Sequence, residues 1–459
     1  MEIYNVLHRR KETFRPIEKG RVRIYSCGPT VYWHQHVGNF RAYIFSDFLK
    51  RVLIYKGFKV KHAINITDVG HLTGDSDDGE DKMEVAAKRE KRSAKEISEF
   101  YLKEFKKDFS KLRLLEPDYW PRATEHIKEQ IEMIRVLEAR GFTYRTSDGV
   151  YFDTSKFKDY GKLSNKKGES LEAGIRTSMR SKKHKTDFAL WKFSSPQDKR
   201  QQEWESPWGI GFPGWHIECS AMATKYLGEH FDIHTGGEDH LHIHHENEIA
   251  QSEAALGRSP WVNYWMHCAF LVFEKEKMSK SSGKIITLSS LEEKGFSAME
   301  YKFFIYSASY RKQLSWSDEA MKNSASSFRH LKNVIGKIKD DGEINEDYLK
   351  KFEERISDDL DTPGAIAVLW SLLRNKRARG KFRTIEKMDE VFALNLTKAE
   401  EEEVPAEVLK IAEERKAARD EKDFDRADEL REKIRKLGYG ISDEGSSYVI
   451  KKLEKSPSR

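Results

Sequence analysis

Two short segments near the start of the chain alternate hydrophobic and polar positions, and a helical pattern lies between them. Arg21–Cys27 alternates and stops at Gly28-Pro29, which is typical of a strand that ends in a tight turn. From Asn39 onward, apolar residues recur every three or four positions until Gly57, as in a helix with a C-terminal glycine. Lys59–Ile66 alternates again. This order predicts a βαβ unit, so the turn after the first strand is expected to line a binding crevice.

The next segments predict a long helix and then an insertion. Glu84–Leu112 is strongly charged and contains no Gly or Pro, which favours one long, exposed helix. Pro121 is expected to open another helix that ends near Gly141. Phe142–Asp153 carries aromatic and branched residues on both sides of a turn sequence and predicts a hairpin. Because residues 155–186 are polar, lysine-rich and without periodicity, an insertion between two halves of the first domain is expected.

Helices and strands alternate again after this insertion. Helical patterns cover Gly214–Leu227 and His242–Leu256, and predicted strands cover Phe231–His234, which ends in Thr235-Gly236-Gly237, and Trp261–Phe273. The pattern beyond Ser317 is helical, with a linker at Thr397–Pro405, a charged helical pair and a short β-like tail around Tyr448–Leu453. The whole pattern predicts an α/β fold with a parallel sheet, followed by helical segments.

The composition limits the class of protein. Of the 459 residues, 38% are hydrophobic, which is enough to bury the cores of roughly two to four domains. Lys and Arg number 82 against 76 Asp and Glu, so the net charge of +6 is a mild bias and no signature of nucleic-acid binding. The first ten residues of the sequence contain no apolar segment like the core of a signal peptide, and no apolar run reaches the roughly 18 residues of a membrane span. A cytoplasmic location without membrane contact is therefore expected.

Cysteine and histidine are unevenly distributed. The three cysteines, Cys27, Cys219 and Cys268, argue against a disulfide framework and leave metal ligation, catalysis or burial as their roles. Half of the 16 histidines fall between residues 216 and 267. His244 and Glu248 are four positions apart in a predicted helix, so their side chains share one face and suit one ion. The residues alone indicate a histidine-rich metal site without choosing among these histidines.

Two short motifs carry residues suited to phosphate binding. In the loop Lys277-Met278-Ser279-Lys280-Ser281, two lysines supply compact positive charge and small residues let the backbone approach an anion. His36-Val37-Gly38-Asn39 lies where the predicted helix begins, so a helix N-terminus and an imidazole would face the same anion. Each motif alone is also compatible with an ordinary polar loop.

The two motifs together, in this order, resemble the HIGH and KMSKS signatures of class I aminoacyl-tRNA synthetases. At Cys27-Gly28-Pro29-Thr30-Val31-Tyr32 the resemblance narrows to the cysteinyl-tRNA synthetase family. Further motifs of that family are Asn65-Ile66-Thr67-Asp68, Gly214-Trp215-His216-Ile217-Glu218-Cys219-Ser220-Ala221-Met222 and His244-His245-Glu246-Asn247-Glu248. Asn39 stands where the HIGH signature has His, a departure that the family often shows.

The resemblance implies a Rossmann-type, doubly wound parallel-sheet catalytic domain with an insertion, followed by an all-α bundle and a small C-terminal anticodon-binding region. The expected segments are a first catalytic half at 1–120, a connective insertion at 121–204, a second catalytic half at 205–273, the KMSKS loop and stem-contact region at 274–316, a helical bundle at 317–397 and the anticodon-binding region at 398–459.

The resemblance also implies the reaction, which is the ATP-dependent ligation of L-cysteine to tRNA(Cys) through cysteinyl-adenylate by a protein expected to be a monomer. Catalytic roles are expected for His36, Asn39, Lys277 and Lys280. ATP contacts are expected from these four and from Gly236, Gly237 and Asp239. Substrate contacts are expected from Gly28, Thr67, Trp215 and His234.

Two cations follow from the same resemblance. One Zn²⁺ is expected on Cys27, Cys219, His244 and Glu248, with Trp215 beside the substrate side chain. A thiolate suits zinc far better than an alcohol does, so the metal is expected to separate cysteine from serine. Mg²⁺ is expected to accompany ATP, held mainly by phosphates and water.

Three other functions use some of these features. The cysteine ligase of mycothiol synthesis shares the adenylating domain and the zinc, but the long helical tail argues against it. A catalytically idle paralogue that only binds RNA would not need the lysines and metal ligands. A zinc hydrolase would use the histidines and Glu248 but not the lysine loop.

Overall fold

The computed structural model describes residues 1–71, 80–165, 182–195, 200–273, 285–398, 406–421, 423–444 and 447–452. It divides into two compact units, Met1–Thr397 and Lys398–Arg459. The strands of the first unit are β1 (Glu2–Asn5), β2 (Arg10–Thr13), β3 (Arg21–Ser26), β4 (Lys59–Ile64), β5 (Thr143–Arg145), β6 (Gly149–Phe152), β7 (Phe188–Phe193), β8 (Gly211–Pro213), β9 (Phe231–Gly237), β10 (Val262–Cys268), β11 (Leu271–Phe273) and β12 (Leu314–Trp316). Its helices are α1 (Val37–Tyr55), α2 (Lys82–Glu90), α3 (Ala94–Lys111), α4 (Ile127–Ala139), α5 (Trp215–Leu227), α6 (His244–Leu256), α7 (Leu288–Glu293), α8 (Ala298–Ile305), α9 (Asp318–Ile335), α10 (Glu346–Ser357), α11 (Thr362–Arg374) and α12 (Lys381–Phe392).

A parallel sheet in the order β10-β9-β3-β4 forms the centre of the first unit. Ile24 of β3 belongs to the core that α1 covers, while the next residue, Tyr25, packs with Met222 of α5. Successive strand residues point to opposite faces, so helices cover both sides of the sheet. This arrangement confirms the predicted doubly wound α/β fold.

The chain reverses its winding direction between β3 and β9. From β3 the crossover through α1 leads outward to β4, whereas from β9 the crossover through α6 leads in the opposite direction to β10. The two strands pair in parallel, with Ser26 opposite Thr235. Ligands of such sheets bind in the crevice beyond the carboxyl ends of the two strands at this switch point. Cys27 and Gly237 stand at those ends.

Several predicted elements have different limits in the structure. The prediction of a single long helix over Glu84–Leu112 is wrong. Helix α2 ends before Lys91, whose φ is 53°, and Ser93 then caps a separate helix, α3. One face of α3, including Phe105, is also buried, since its apolar residues meet the main core. The helix expected from Pro121 starts as a short 3-10 turn at Ala123, because Arg122 still pairs with Ile66, two residues beyond β4.

Two strand limits also differ from the sequence interpretation. The strand expected to end at His234 continues to Gly237, because parallel pairing with β10 extends to the opposite residue Cys268. The strand expected over Trp261–Phe273 is divided into β10 and β11, which belong to different sheets. The buried guanidinium of Arg41 explains the division, since it donates hydrogen bonds to the carbonyls of Ala269 and Phe270 between the two strands.

A second, antiparallel sheet in the order β5-β6-β7-β8 has its first three strands within the predicted insertion, 121–204. The first two strands form the hairpin expected over Phe142–Asp153, with Thr143 opposite Phe152. The last strand, β8, lies beyond residue 204, where the sequence interpretation ended the insertion. Half of the lysine-rich stretch 155–186, residues 166–181, lies outside the described residues.

Helices α9 to α12 follow the parallel sheet, as the periodicity beyond Ser317 predicted. The second unit contains the helices α13 (Ala406–Asp420) and α14 (Phe424–Lys436) and the antiparallel hairpin of β13 (Tyr439–Glu444) and β14 (Ser447–Lys452). Among the helices of the described residues, none combines the length and the hydropathy that a membrane span requires.

Candidate active site

Glycine allows the two edges of the crevice to approach each other. A Cβ atom at Gly28 would lie 1.5 Å from the backbone oxygen of Asn65, so no larger residue fits there. The Gly28 amide donates a hydrogen bond to the Asn65 side chain, which in turn donates to the hydroxyl of Thr67. The segments that follow β3 and β4 are thereby held side by side, and Gly28 and Thr67 line the same wall.

His36 and Asn39 form a reciprocal cap at the start of α1. The backbone N–H of Asn39 donates a hydrogen bond to Nδ1 of His36 over 3.3 Å, and the backbone N–H of His36 donates one to Oδ1 of Asn39 over 3.2 Å. Because Nδ1 accepts a hydrogen bond, the neutral imidazole carries its proton on Nε2. Burial lowers the pKa of His36, with Asp239 acting in the opposite direction. A Cβ atom at Gly38 would come within 2.8 Å of the ring, so glycine is needed beside it.

The other residues predicted to bind ATP lie at the end of β9 or in the lysine loop. Gly236 and Gly237 are the last residues of β9, and a Cβ atom at Gly236 would lie 2.7 Å from the ring of His245. Asp239 follows in a 3-10 turn, Glu238–His240. Lys277 and Lys280 lie outside the described residues.

The four predicted metal ligands meet at the switch point. One donor atom from each of Cys27, Cys219, His244 and Glu248 lies within 4.8 Å of the other three. Cys27 follows β3, Cys219 is on α5, and the other two occupy the first turns of α6. The set contains two sulfurs, an imidazole and a carboxylate, which are donors that a tetrahedral zinc site uses. The sulfurs, the nitrogen and the oxygen therefore fit a soft or borderline divalent ion.

Histidines that are not in this set support it from outside. The pairs are His216 Nδ1 with His244 Nδ1 at 2.9 Å, His234 Nε2 with Glu248 Oε2 at 2.6 Å, and His245 Nε2 with Cys27 Sγ at 3.2 Å. Such outer contacts orient metal ligands and tune their basicity. A second group of donors within 4.8 Å, consisting of Cys27, His234, His245 and Glu248, shares two residues with the first, so one ion cannot use both groups.

Protons and charges are shared within this buried cluster. Burial lowers the pKa of His244, but Glu248 and Cys219 outweigh it and raise the value to about 10. Burial raises the pKa of Glu248, but His234 and His244 outweigh it and lower the value. Burial and Cys219 raise the pKa of Cys27. A metal ion has to displace the protons of these groups when it binds, so metal affinity is expected to rise with pH.

The predicted substrate residues surround the cluster. The ring of Trp215 stacks on His244, with centroids 4.5 Å apart and planes at 28°. Thr67 is buried beside the crevice wall. His234 is fully buried behind Glu248 and stacks on Trp265, with centroids 4.6 Å apart. Its contact with substrate therefore remains a prediction.

Sequence reasoning missed four residues of this region: His71, His216, Glu218 and His245. His216, Glu218 and His245 lie inside quoted family motifs, and His216 and His245 also belong to the dense group of histidines between residues 216 and 267, but neither signal separates ligands from their supports. His71 lies outside that group. Glu218 and His71 lie within contact distance of each other, with Oε1 and Nε2 2.9 Å apart, although they are far apart in sequence.

Comparison with known proteins shows to which family this chain is related. The family model described as "tRNA synthetases class I (C) catalytic domain" matches residues 13–326, and the one described as "Cysteinyl-tRNA ligase anticodon binding domain" matches residues 401–448. A cysteine–tRNA ligase of Burkholderia lata is 44% identical over 96% of this chain and 95% of that protein. The chain belongs to the cysteine–tRNA ligase family. A second relative, the cysteine–tRNA ligase of Treponema denticola, is 42% identical over 99% of this chain and all of that protein.

Solved structures agree with this relationship at the level of the fold. Methionyl-tRNA synthetase of Mycobacterium tuberculosis, in complex with methionyl-adenylate, superposes with a TM-score of 0.56 and 16% identity. The match covers 82% of this chain and 90% of that structure. The family and the class I synthetase fold predicted from the motifs are thus confirmed.

Proposed function

We propose that this protein ligates L-cysteine to tRNA(Cys) in two steps. Cysteine and ATP first form cysteinyl-adenylate and pyrophosphate, and the cysteinyl group then moves to the 3′-terminal adenosine of the tRNA. The observation that carries the proposal is the Cys27–Cys219–His244–Glu248 cluster at the switch point of the sheet, next to the capped N-terminus of α1. The match of residues 401–448 to an anticodon-binding family favours tRNA over an amino sugar as the acceptor.

The cluster is proposed to hold one Zn²⁺ through Cys27, Cys219, His244 and Glu248. This choice leaves His216, His234 and His245 as orienting partners, whereas the alternative donor group would turn two of these three into ligands. When bound, zinc would supply a Lewis acid that accepts a substrate thiolate in preference to a hydroxyl. Trp215 and Thr67 are proposed to enclose the rest of the amino acid.

The opposite side of the crevice is proposed to hold ATP. The N-terminus of α1 offers the positive end of a helix dipole, and His36 presents Nε2–H while Nδ1 is engaged in the cap. Asn39 retains its side-chain NH₂ as a donor, because its oxygen accepts from His36. Gly236, Gly237 and Asp239 are proposed to contact the nucleotide, with Mg²⁺ on the phosphates. Catalysis then rests on holding carboxylate and α-phosphate in line and on stabilising the charge that moves to pyrophosphate.

The direct test of the proposal is cysteine charging of total tRNA, with the acceptor species identified by sequencing. Charging of tRNA(Cys) alone is expected. Transfer of cysteine to an amino sugar without tRNA charging would contradict the proposal, as would RNA binding without cysteine-dependent ATP–pyrophosphate exchange. Activity as a monomer in the cytoplasm remains a prediction from the family resemblance.

The lysine loop gives a prediction for the first step. Lys280→Ala is expected to lower cysteine-dependent ATP–pyrophosphate exchange by about 10²- to 10³-fold, because one preorganised cation on the phosphates is lost. Metal content should stay the same, since no metal donor changes. Lys275→Ala is the matched control, because it removes a lysine from the same loop outside the motif, and its exchange rate should stay normal. Equal rates for both variants would refute the role of Lys280.

A further inference from the structure

Glu218 is a buried carboxylate without a matching partner. Its side chain is fully buried on α5, one position before the proposed ligand Cys219. Neither of its oxygens has a well-oriented hydrogen bond to any of the described residues. Burying an ionised carboxylate without a partner costs several kcal/mol by general estimates, so such a group calls for an explanation.

The surroundings of Glu218 identify the space that it faces. Its Oε1 lies 2.9 Å from Nε2 of His71, and it is close enough to Thr67 for that hydroxyl to influence its pKa. The ring of His71 lies 6.3 Å from that of Trp215, which stacks in turn on His244. The carboxylate therefore lies among Thr67, His71 and Trp215, and two of these, Thr67 and Trp215, are proposed to enclose the amino acid.

The contacting side chain does not supply a positive charge to Glu218. Burial lowers the pKa of His71 to about 3, so this ring is neutral at physiological pH. His244 lowers the pKa of Glu218, but its ring is already paired with Glu248. Burial, with a smaller contribution from Asp68, outweighs it and raises the pKa of Glu218 well above the usual range of a carboxyl group. A cationic ligand would favour the ionised carboxylate, whereas an anionic ligand would not.

We propose that Glu218 binds the α-ammonium group of the cysteine substrate. The inference rests on the proposed function, because it requires an amino acid in this crevice. In cysteine, two carbons separate the amino nitrogen from the sulfur, so the group that binds the ammonium has to lie near the metal cluster. Glu218 meets this condition through His71 and Trp215, which connect it to the proposed ligand His244. Glu218 would then fix the orientation in which the substrate carboxylate faces ATP.

The test compares two thiols that differ only in the ammonium group. Dissociation constants of L-cysteine and of 3-mercaptopropionate are measured by calorimetry on the metal-loaded full chain and on Glu218→Gln. The substitution keeps the shape of the side chain but removes its charge. We expect the dissociation constant of cysteine to rise by about 10- to 100-fold, as for a lost hydrogen bond between charged groups. The constant for 3-mercaptopropionate should not rise.

The ratio of the two constants separates recognition from general damage. Partial unfolding or weakened metal binding in Glu218→Gln would affect both thiols alike and leave the ratio unchanged, and an unchanged ratio overturns the proposal. Glu253→Gln is the control, because Glu253 is a buried carboxylate of α6 whose partners, Lys162 and the Trp261 amide, come from the chain itself. The ratio of the two dissociation constants in Glu253→Gln should match that of the unaltered protein. A protein without substitutions that binds neither thiol would contradict the proposed function itself, and this result is distinct from an unchanged ratio in Glu218→Gln.

Discussion

Cys219→Ser is expected to remove the metal from the active site and cysteine-dependent ATP–pyrophosphate exchange with it. Cys219 is fully buried on α5 and supplies one of the two sulfurs of the cluster. Losing an outer partner of a ligand already weakens metal binding by about 10- to 100-fold, so losing a thiolate ligand should weaken it by more than about 100-fold. Metal content by mass spectrometry and the exchange rate are measured on the same preparation.

Cys268→Ala is the matched control for this experiment. Cys268 belongs to neither of the two groups of metal donors found among the described residues, and burial raises the pKa of its thiol to about 12. It lies at the end of β10, where its sulfur is 3.8 Å from the Arg41 carbonyl. Metal content and exchange should stay near those of the unaltered protein. Full metal content in Cys219→Ser, or loss of metal in Cys268→Ala, would contradict the assignment of the ligands.

Serine is expected to be rejected by a factor of at least about 10⁴ in kcat/KM for ATP–pyrophosphate exchange. Shape alone separates near-isosteric side chains by only about a hundredfold, whereas translation needs about 10⁴ to 10⁵. A soft thiolate donor to zinc has no equivalent in the hydroxyl of serine. Exchange with each amino acid is measured at subsaturating concentrations on the metal-loaded protein. A ratio near a hundred would mean that the pocket selects by shape.

The sequence pattern predicted the parts of the site that lie on regular elements. The alternation of Arg21–Cys27 and the turn after it located Cys27 at a strand end, and the spacing of His244 and Glu248 located both on one helix face. Parallel pairing of β3 with β9 then brings Cys27 to α6, although the residues are far apart in sequence. No local pattern encodes that pairing, so the ligand set itself came from the family resemblance.

The remaining features depend on tertiary contacts that local patterns do not contain. His216 and His245 belong to the same dense group of histidines as His244, and only their distances identify them as supports of the cluster. Glu218 lies inside a family motif, but nothing in that motif shows that its carboxylate is buried without a matching partner. The break between β10 and β11 depends on the distant side chain of Arg41. In each case a contact between remote segments decides the role of the residue.

The central claim is that the metal binds the thiol of the substrate and thereby recognises it. X-ray absorption spectroscopy tests this claim most directly, because it counts the sulfur neighbours of zinc. Cys27 and Cys219 should give two sulfurs in the protein alone. Addition of L-cysteine should raise the number to three, and addition of L-serine should leave it at two. A count that stays at two at saturating cysteine would contradict the account.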